Sequence, residues 1–507
     1  MRPLLRLAGG LPLLALGIVL SAQMPAGDRR EADPLARNAG PKSDGLSIRN
    51  DPPDFLFSEQ AAILVLIDGN PVYRPIDGTD LQRIINTKPF IVRDSADVHY
   101  MKVFDGWMEA YGLTGDWSVS GVAPRGVAPA LQQAVTQKTV DLLDGANPGH
   151  PDDTPRLDAG VAPVIFISTK PAELIVTNGP PRFVKVEGSS LEYVANTTAT
   201  MFKEPTDDEL YVLTSGRWFR GWSTDGPWEY VPSGKLPADI AAIPDSSPKA
   251  AVKASIAGTT QSLEARLEND VVRSAKINRP QTKLTPPIID GDPQLQPIDG
   301  TGLSYIVNAP VPIIATNPPT EYYAVQDGVW FVGAALGASW RVASSVPPAV
   351  YTIPPSSPLH HVTYVRILNA TADEVEVGYT PGYLGTVVGD GVVVYGTGYE
   401  YRPWIGTHWW GRPMTYGLGA NMMHEPPRDW FYIFGYGWNA GRGTWGSGVS
   451  PWWEPVAWGW RGERYPWVWR GNQAVRVPSD VDDGRGIGTW RDAPAKNLYD
   501  RWRSSGS

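Results

Sequence analysis

"IDGNPVYRPIDGT", residues 67–79, returns as "IDGDPQLQPIDGT" at residues 289–301. Midway between them, residues 177–189 read "TNGPPRFVKVEGS", with glycines and a proline at the same places. The match continues downstream with a period of about 111 residues, which predicts an array of three homologous units. The aligned positions are Leu81, Leu191 and Leu303; Asn86, Asn196 and Asn308; Tyr100, Tyr211 and Tyr323; Trp107, Trp218 and Trp330; and Trp117, Trp228 and Trp340.

The local pattern within each unit is typical of β-strands. In the second unit, "ELYVLTSGRWF" (209–219) predicts two strands around a Ser-Gly turn, because Tyr, Val, Thr, Trp and Phe favour strands. Apolar residues at helical spacing predict short helices between the units, with Leu131, Val135 and Leu142 on one side of the first and Leu263, Leu267 and Val271 on one side of the second. We therefore expect a mainly β protein: three repeated antiparallel β-modules with short linking helices, then a Gly/Trp-rich β region.

The N-terminus has the pattern of an export signal. Arg2 and Arg6 precede an apolar run at residues 7–20, and small residues follow. The run is short for a membrane span, although an uncleaved anchor is the alternative, and no later segment predicts a spanning helix. We expect a periplasmic, secreted or cell-surface protein.

The chain has no cysteine, which excludes disulfides, thiolate metal sites and a lipid-anchored cysteine. Its formal charge of −9 gives no support for binding nucleic acid.

Changes in composition divide the chain. Residues 404–469 carry 12 of its 21 tryptophans among many glycines. This region is interpreted as a β-rich domain with an aromatic core, as a segment that self-associates or binds a protein partner, or as aromatics at a membrane interface. The predicted organisation is a signal peptide (1–22), a disordered linker (23–50), repeat unit 1 (51–150), unit 2 (163–272), unit 3 (275–365), a Gly/aromatic-rich β region (366–470) and a disordered tail (471–507).

Several segments carry a family resemblance. "PAELIVTNGPP" (171–181), "YVLTSGRWFRGWSTDGPW" (211–228) and "VGYTPGYLGTVVGDGVVVYGTGYEYRPWIGT" (377–407) resemble a family of uncharacterised exported bacterial proteins. Members of that family are commonly labelled as carbohydrate-binding family V/XII proteins. The resemblance covers residues 55–425 or so, implies sugar binding, and implies no catalytic residues.

The repeated tryptophans have two interpretations. Aromatic rings can stack on sugars, and Trp218 and Trp228 would then form a platform; alternatively they are the core of the module, since each ring buries a large area. We favour the core for both. Trp222 has no tryptophan counterpart, because Tyr111 and Ala334 occupy the aligned positions, so we expect it to be exposed. The predicted ligand-binding candidates are Trp222, Trp218, Trp228, Trp409 and Trp410.

Catalytic chemistry has little support in the sequence. The six histidines fit no standard metal spacing, and His360 and His361 are adjacent. No glycosidase pair of carboxylates can be selected among the acidic residues. We therefore predict no enzyme activity, no metal and no cofactor. The leading hypothesis is a non-catalytic exported protein that binds a glycan or cell-envelope polymer. The alternative is a structural or assembly protein of the envelope whose repeats bind protein partners.

Overall fold

The structure is a computed structural model, and it confirms the mainly β prediction. It describes residues 45–411 except 61, 138, 141, 144–155, 158–161, 198 and 319–320. It also describes the strands Asn421–His424, Phe431–Phe434, Val468–Arg470 and Gln473–Arg476. The predicted signal peptide, most of the linker and most of residues 412–507 lie outside these ranges. Among the described residues, no helix combines the length and apolar character needed to cross a membrane.

Each repeat unit contains one antiparallel meander, in which strands adjacent in the chain are neighbours in the sheet. Meander 1 consists of Tyr73–Pro75, Gln82–Ile84, Ile91–Arg93, Val98–Val103, Gly106–Tyr111 and Ser118–Ser120. Meander 2 consists of Phe183–Lys185, Glu192–Val194, Thr200–Glu204, Glu209–Thr214, Arg217–Gly221 and Trp228–Val231. Meander 3 consists of Leu295–Pro297, Leu303–Ile306, Ile313–Thr316, Tyr322–Gln326, Val329–Gly333 and Trp340–Val342, with Lys283–Leu284 added beside the last strand.

The aligned asparagines fasten the turn before each meander. The Asn86 side-chain oxygen accepts a hydrogen bond from the Val72 backbone N–H at 2.8 Å. Its amide nitrogen donates to the carbonyl oxygens of Asp68 and Asn70. Asn196 and Asn308 make the same three bonds in their own units. The repeat therefore retains asparagine where one amide side chain provides the backbone with both donors and an acceptor.

Units 1 and 2 exchange strands. Asp54–Ser58 of unit 1 pairs in parallel with Ala172–Val176 of unit 2, and Ala62–Leu66 of unit 1 pairs in parallel with Val164–Ser168 of unit 2. Asp54 corresponds to Val164 in the repeat, and Ala62 corresponds to Ala172. The two registers, Asp54↔Ala172 and Ala62↔Val164, are therefore the same contact made twice. Such reciprocal pairing is the mark of a two-fold relation, here inside one chain.

The side chains around this internal two-fold form a buried cluster made of corresponding residues. Ala62 matches Ala172, Leu64 matches Leu174, and Leu56 matches Phe166. On the outer sides of the exchanged strands, Ile165 and Ile167 of unit 2 pack on the core of meander 1. Phe55 and Phe57 of unit 1 pack against meander 2. Each of these two meanders is thus covered partly by a strand that belongs to the other unit.

Unit 3 takes no part in this exchange. The strand before its meander, Arg273–Asn278, pairs with Glu374–Tyr379, which also pairs with Val365–Ala370. This three-stranded sheet shares one continuous core with meander 3. The exchange therefore joins units 1 and 2 as a pair, while unit 3 builds its core with the segment that follows it in the chain.

The second face of each meander is covered by the segment that leaves it. In unit 2 this segment contains the helix Ala238–Ala241 and the 3-10 turns Ser233–Lys235 and Ala250–Ser255; in unit 3 it contains the 3-10 turns Pro348–Thr352 and His360–Tyr364. The helix Ala128–Thr136 covers meander 1 and lies against the face that contains Trp107. We call these segments the exits; those of units 2 and 3 contain the similar Pro-rich sequences "LPADIAAIPDSSP" (236–248) and "VPPAVYTIPPSSP" (346–358).

The helix Thr260–Asn269 exposes its apolar side. Its buried residues are Ser262, Ala265 and Asn269, and the Thr386 hydroxyl donates to the Asn269 side chain. Leu263 and Leu267 are exposed, as is Val271 just after the helix. The sequence correctly predicts a helix here with Leu263 and Leu267 on one side, but the helix ends at Asn269, before Val271. Its small and polar side, however, is the one that contacts the hairpin Thr386–Gly389 and Val392–Tyr395.

The start of the described chain is bound to its later part. The Arg49 N–H donates to the Thr397 carbonyl, and buried Arg217 donates to Asn50 and to the carbonyls of Tyr395 and Gly396. Residues 45–50, inside the predicted linker, therefore pack on the protein. The strand Gln473–Arg476 falls in the segment predicted to be a disordered tail and pairs with Val468–Arg470.

Candidate functional site

The most exposed aromatic side chains of the meanders occupy equivalent positions. Trp222 follows buried Trp218 by four residues and has 64% of its surface exposed, which confirms the predicted exposure. Tyr111 follows buried Trp107 by the same interval and is 83% exposed. Both residues lie where the fifth strand of the meander ends. We call these ends tip 1 (Tyr111) and tip 2 (Trp222).

A hydrogen-bonded polar cluster lies beside tip 2. The Tyr211 hydroxyl donates to Glu209 at 2.6 Å, and Arg220 contacts Glu209 at 3.4 Å and Glu229 at 2.5 Å. Glu209 is buried, Arg220 is partly exposed, and Glu229 is largely exposed. Burial and the bond to Glu209 raise the pKa of Tyr211, and the bond to Glu229 raises the pKa of Arg220. The cluster therefore keeps a fixed set of donors and acceptors next to an exposed indole.

Tip 1 has a corresponding cluster with different side chains. Tyr100, which aligns with Tyr211, points its hydroxyl at Asp94 at 3.5 Å, and burial raises the pKa of Tyr100. Glu109, which aligns with Arg220, accepts a hydrogen bond from Ser120 at 2.5 Å. Tip 1 thus also combines an exposed aromatic ring with carboxylates held in place by hydroxyl groups.

Unit 3 keeps the tyrosine–carboxylate pair but lacks the exposed ring. The Tyr323 hydroxyl donates to Glu321 at 2.6 Å, and burial and this bond raise the pKa of Tyr323 to about 12. Ala334 occupies the position of Tyr111 and Trp222. Sequence reasoning missed these carboxylates, although Glu209 and Glu321 stand at the same distance before aligned tyrosines and so carried a repeat signal.

Trp218 and Trp228 lie on opposite faces of meander 2. Trp218 is fully buried, pairs across the sheet with Val231, and donates to the Ser255 carbonyl at 2.9 Å. Trp330 makes the matching bond to Val365 in unit 3. This burial confirms the core interpretation for Trp218, whose ring is closed to any ligand. The two rings therefore do not form a strip on one face.

Trp228 is only half-buried, so it is less enclosed than the core interpretation predicts. It stands opposite Gly221 and contacts Phe55 and Phe57 of unit 1, with ring centroids 4.7 and 5.9 Å away. Its indole N–H is buried and has no hydrogen-bond partner among the described residues. The aligned Trp117 and Trp340 instead donate to Leu113 and Leu336. Trp228 thus belongs to the layer between units 1 and 2.

Trp409 and Trp410 belong to a small hairpin, Trp404–Ile405 with Trp409–Trp410, that links the turns of units 1 and 3. Trp409 donates from its indole to Asp68, and Trp404 donates to Asp290. These two aspartates occupy equivalent repeat positions. Trp410 is buried and stacks with His408. Both predicted candidates thus have partners within the chain.

Acid should weaken the hairpin's attachment at Asp290. Burial raises the pKa of Asp290, but hydrogen bonds from Trp404, His408 and Thr407 outweigh it, so the pKa is lowered overall. The stabilisation is complete above the unfolded-state pKa and is lost as the pH falls through the lower folded-state pKa. We expect Asp290→Asn to reduce the loss of unfolding free energy between pH 7 and pH 3, measured by urea denaturation. An identical loss in the variant and the wild type would contradict this assignment.

The histidines and carboxylates of the described residues form no candidate metal site. Within those residues, no three His, Asp or Glu side chains lie where they could hold a metal ion together. His360 and His361 are buried in the exit of unit 3, and burial lowers the pKa of His361 to about 3. His360 contacts the Ile353 carbonyl and Tyr364. These contacts place both histidines in the packing of unit 3.

Comparison with protein-family models, curated proteins and solved structures finds no match for this chain.

Proposed function

We propose that this protein is a non-catalytic exported protein that binds a glycan or cell-envelope polymer through its exposed tip aromatics. The observation that carries the proposal is Trp222, a large indole that is 64% exposed beside a hydrogen-bonded cluster of Glu209, Arg220 and Glu229. Export to the periplasm or cell surface follows from the N-terminal signal pattern and is part of the proposal.

The chemistry of tip 2 suits a sugar ring. An indole face covers the apolar C–H face of a pyranose, and the open side chains of Arg220 and Glu229 can donate to and accept from its hydroxyl groups. Arg220 is already oriented by two carboxylates, so little side-chain entropy remains to be lost on binding. A flat aromatic with polar groups at its border matches the general composition of small-molecule sites.

Trp222→Ala should reduce retention on a polysaccharide at least tenfold while leaving the folded protein unchanged. The expected loss is large because stacked aromatics commonly dominate binding energy, whereas an exposed side chain contributes little to stability. The measurement is retention of the purified protein on insoluble chitin, cellulose and peptidoglycan, with thermal melting alongside. Ile288→Ala, which removes another exposed apolar side chain, is the matched control.

Three outcomes would count against this function or its site. Wild-type protein that none of the three polymers retains would overturn it, as would a Trp222→Ala variant retained as strongly as the wild type. Equal losses in Trp222→Ala and Ile288→Ala would show only non-specific apolar adsorption and would also reject the site.

A second candidate function is a structural or assembly role in the envelope through protein partners. The exposed apolar residues Leu263, Leu267 and Val271 favour it, because a contiguous apolar surface is a common mark of protein interfaces. Leu267→Asp separates the two proposals. It should abolish an association mediated by this side, seen by sedimentation or cross-linking, and should leave retention on polysaccharide intact.

A further inference from the structure

We infer that the protein is bivalent: tips 1 and 2 are two equivalent glycan sites, related by the internal two-fold of units 1 and 2, and they bind two segments of polysaccharide at once. This inference rests on the proposed function and adds the number and arrangement of its sites. It assigns a binding role to Tyr111, which the sequence does not single out.

The two tips correspond at the exposed ring, at the buried tryptophan before it and at the tyrosine of the polar cluster, whereas the carboxylates come from different repeat positions. Tyr111 and Trp222 stand four residues after the buried Trp107 and Trp218. At each tip a tyrosine hydroxyl faces a carboxylate, Asp94 at tip 1 and Glu209 at tip 2. Both rings are exposed among the residues that the structure describes, and both lie where the fifth strand of their meander ends.

The link between the tips is built to be stiff. Two parallel strand pairs, each with five paired residues, join unit 1 to unit 2 in both directions. Their inner side chains, including Leu64 and Leu174, are almost completely buried around the two-fold. Phe55 and Phe57 fasten unit 1 to meander 2 from the outside of this layer. Closely packed layers of this kind do not flex freely, so the two tips belong to one body.

Unit 3 lacks the exposed ring at its tip and so provides a comparison for units 1 and 2. It retains the buried core tryptophan, the turn asparagine and the tyrosine–glutamate pair, but Ala334 removes the ring at its tip. The buried tryptophan and the turn asparagine therefore recur in all three units. The exposed ring occurs only in the two units that the strand exchange joins.

Bivalency predicts a specific gain on long polymers. When one tip has bound, the other meets the same or a neighbouring chain at a high effective concentration, which can raise overall affinity roughly 10²–10⁴-fold. Short oligosaccharides engage one tip each and show no such gain. Stoichiometry and avidity are thus separate readouts of the same arrangement.

The test uses the full chain with Tyr111→Ala, Trp222→Ala and the double variant. The soluble probes in isothermal titration are chitohexaose, cellohexaose and muramidase-released peptidoglycan fragments; retention is measured on the three insoluble polymers. We expect the wild type to bind two oligosaccharides, each single variant one, and the double variant none. On the matching polymer each single variant should lose at least tenfold in retention, and Ile288→Ala should lose none.

The outcomes separate this inference from the function on which it rests. A wild type that binds one oligosaccharide, with Trp222→Ala harmful and Tyr111→Ala neutral, would overturn bivalency and leave the proposed function standing. No binding by the wild type to any probe or polymer would overturn both. Unchanged melting of both single variants is expected from their exposure, and a large fall would overturn the assignment of that ring to a ligand.

Discussion

Trp218→Ala is expected to lower the free energy of unfolding by about 3–5 kcal/mol, the usual cost of removing a large buried aromatic side chain. Trp218 is fully buried between the sheet and the exit segment of unit 2. Its indole donates to the Ser255 carbonyl, so the substitution also leaves that buried acceptor without its donor. The measurement is chemical denaturation of the variant and the wild type, followed by intrinsic fluorescence and circular dichroism.

The matched control is Trp222→Ala, which removes the same side chain four residues further along the chain. Because Trp222 is largely exposed, its loss should change the free energy of unfolding by no more than about 0.5 kcal/mol. Equal destabilisation by the two substitutions would contradict the assignment of one tryptophan to the core and the other to the surface.

Much of the architecture can be predicted from the repeat itself. Glycine and asparagine recur where the backbone needs them, and Asn86, Asn196 and Asn308 each make the same three hydrogen bonds. Tryptophans that recur at a fixed spacing in all units proved to be core in the case of Trp218 and Trp330. Trp222 has no tryptophan counterpart in the other units, so the shared core does not require it, and it is exposed.

The strand exchange could not be predicted from the sequence. The segments 54–58 and 164–168 have the composition of strands, but composition does not tell which strand is the partner. Both exchanged pairings join residues far apart in the chain, and the partner of each strand in the other unit is homologous to the neighbouring strand of its own unit. Pairing within one unit and pairing between two units would therefore give nearly the same sequence pattern.

The candidate site was predictable only in part. The exposure of Trp222 was predictable because the other units have no tryptophan at its position. The carboxylates at the tips could not be singled out among 53 acidic residues. The partners of Trp409 were also unpredictable, because Asp68 lies 341 residues before it. A long-range contact of this kind leaves no trace in local spacing.

The strand exchange predicts a second large effect. Units 1 and 2 should fail to fold when they are expressed separately, whereas the full chain cleaved between them should remain associated. Residues 45–143 expressed alone would lack the strand Val164–Ser168, which covers meander 1. Residues 156–411 alone would lack Phe55 and Phe57, which cover meander 2. Each fragment would expose an apolar sheet face. Because the net stability of a domain is only about 5–15 kcal/mol, we expect the lost apolar burial to unfold the meander concerned. We expect weak near-ultraviolet circular dichroism and no cooperative melting for residues 45–143. Residues 156–411 should keep the cooperative transition of unit 3, whose buried core lies entirely within this fragment, and should lose that of unit 2.

Inserting a protease site after Asn147 in the full chain provides the decisive comparison. After cleavage in native buffer, the two pieces should migrate as one particle in size-exclusion chromatography, because the two parallel strand pairs and the buried cluster of Leu64 and Leu174 still connect them. The same digest in 6 M urea should separate into two species. Native separation of the pieces, or cooperative melting of residues 45–143 alone, would show that unit 1 folds independently and would remove the physical basis for a rigid pair of tips.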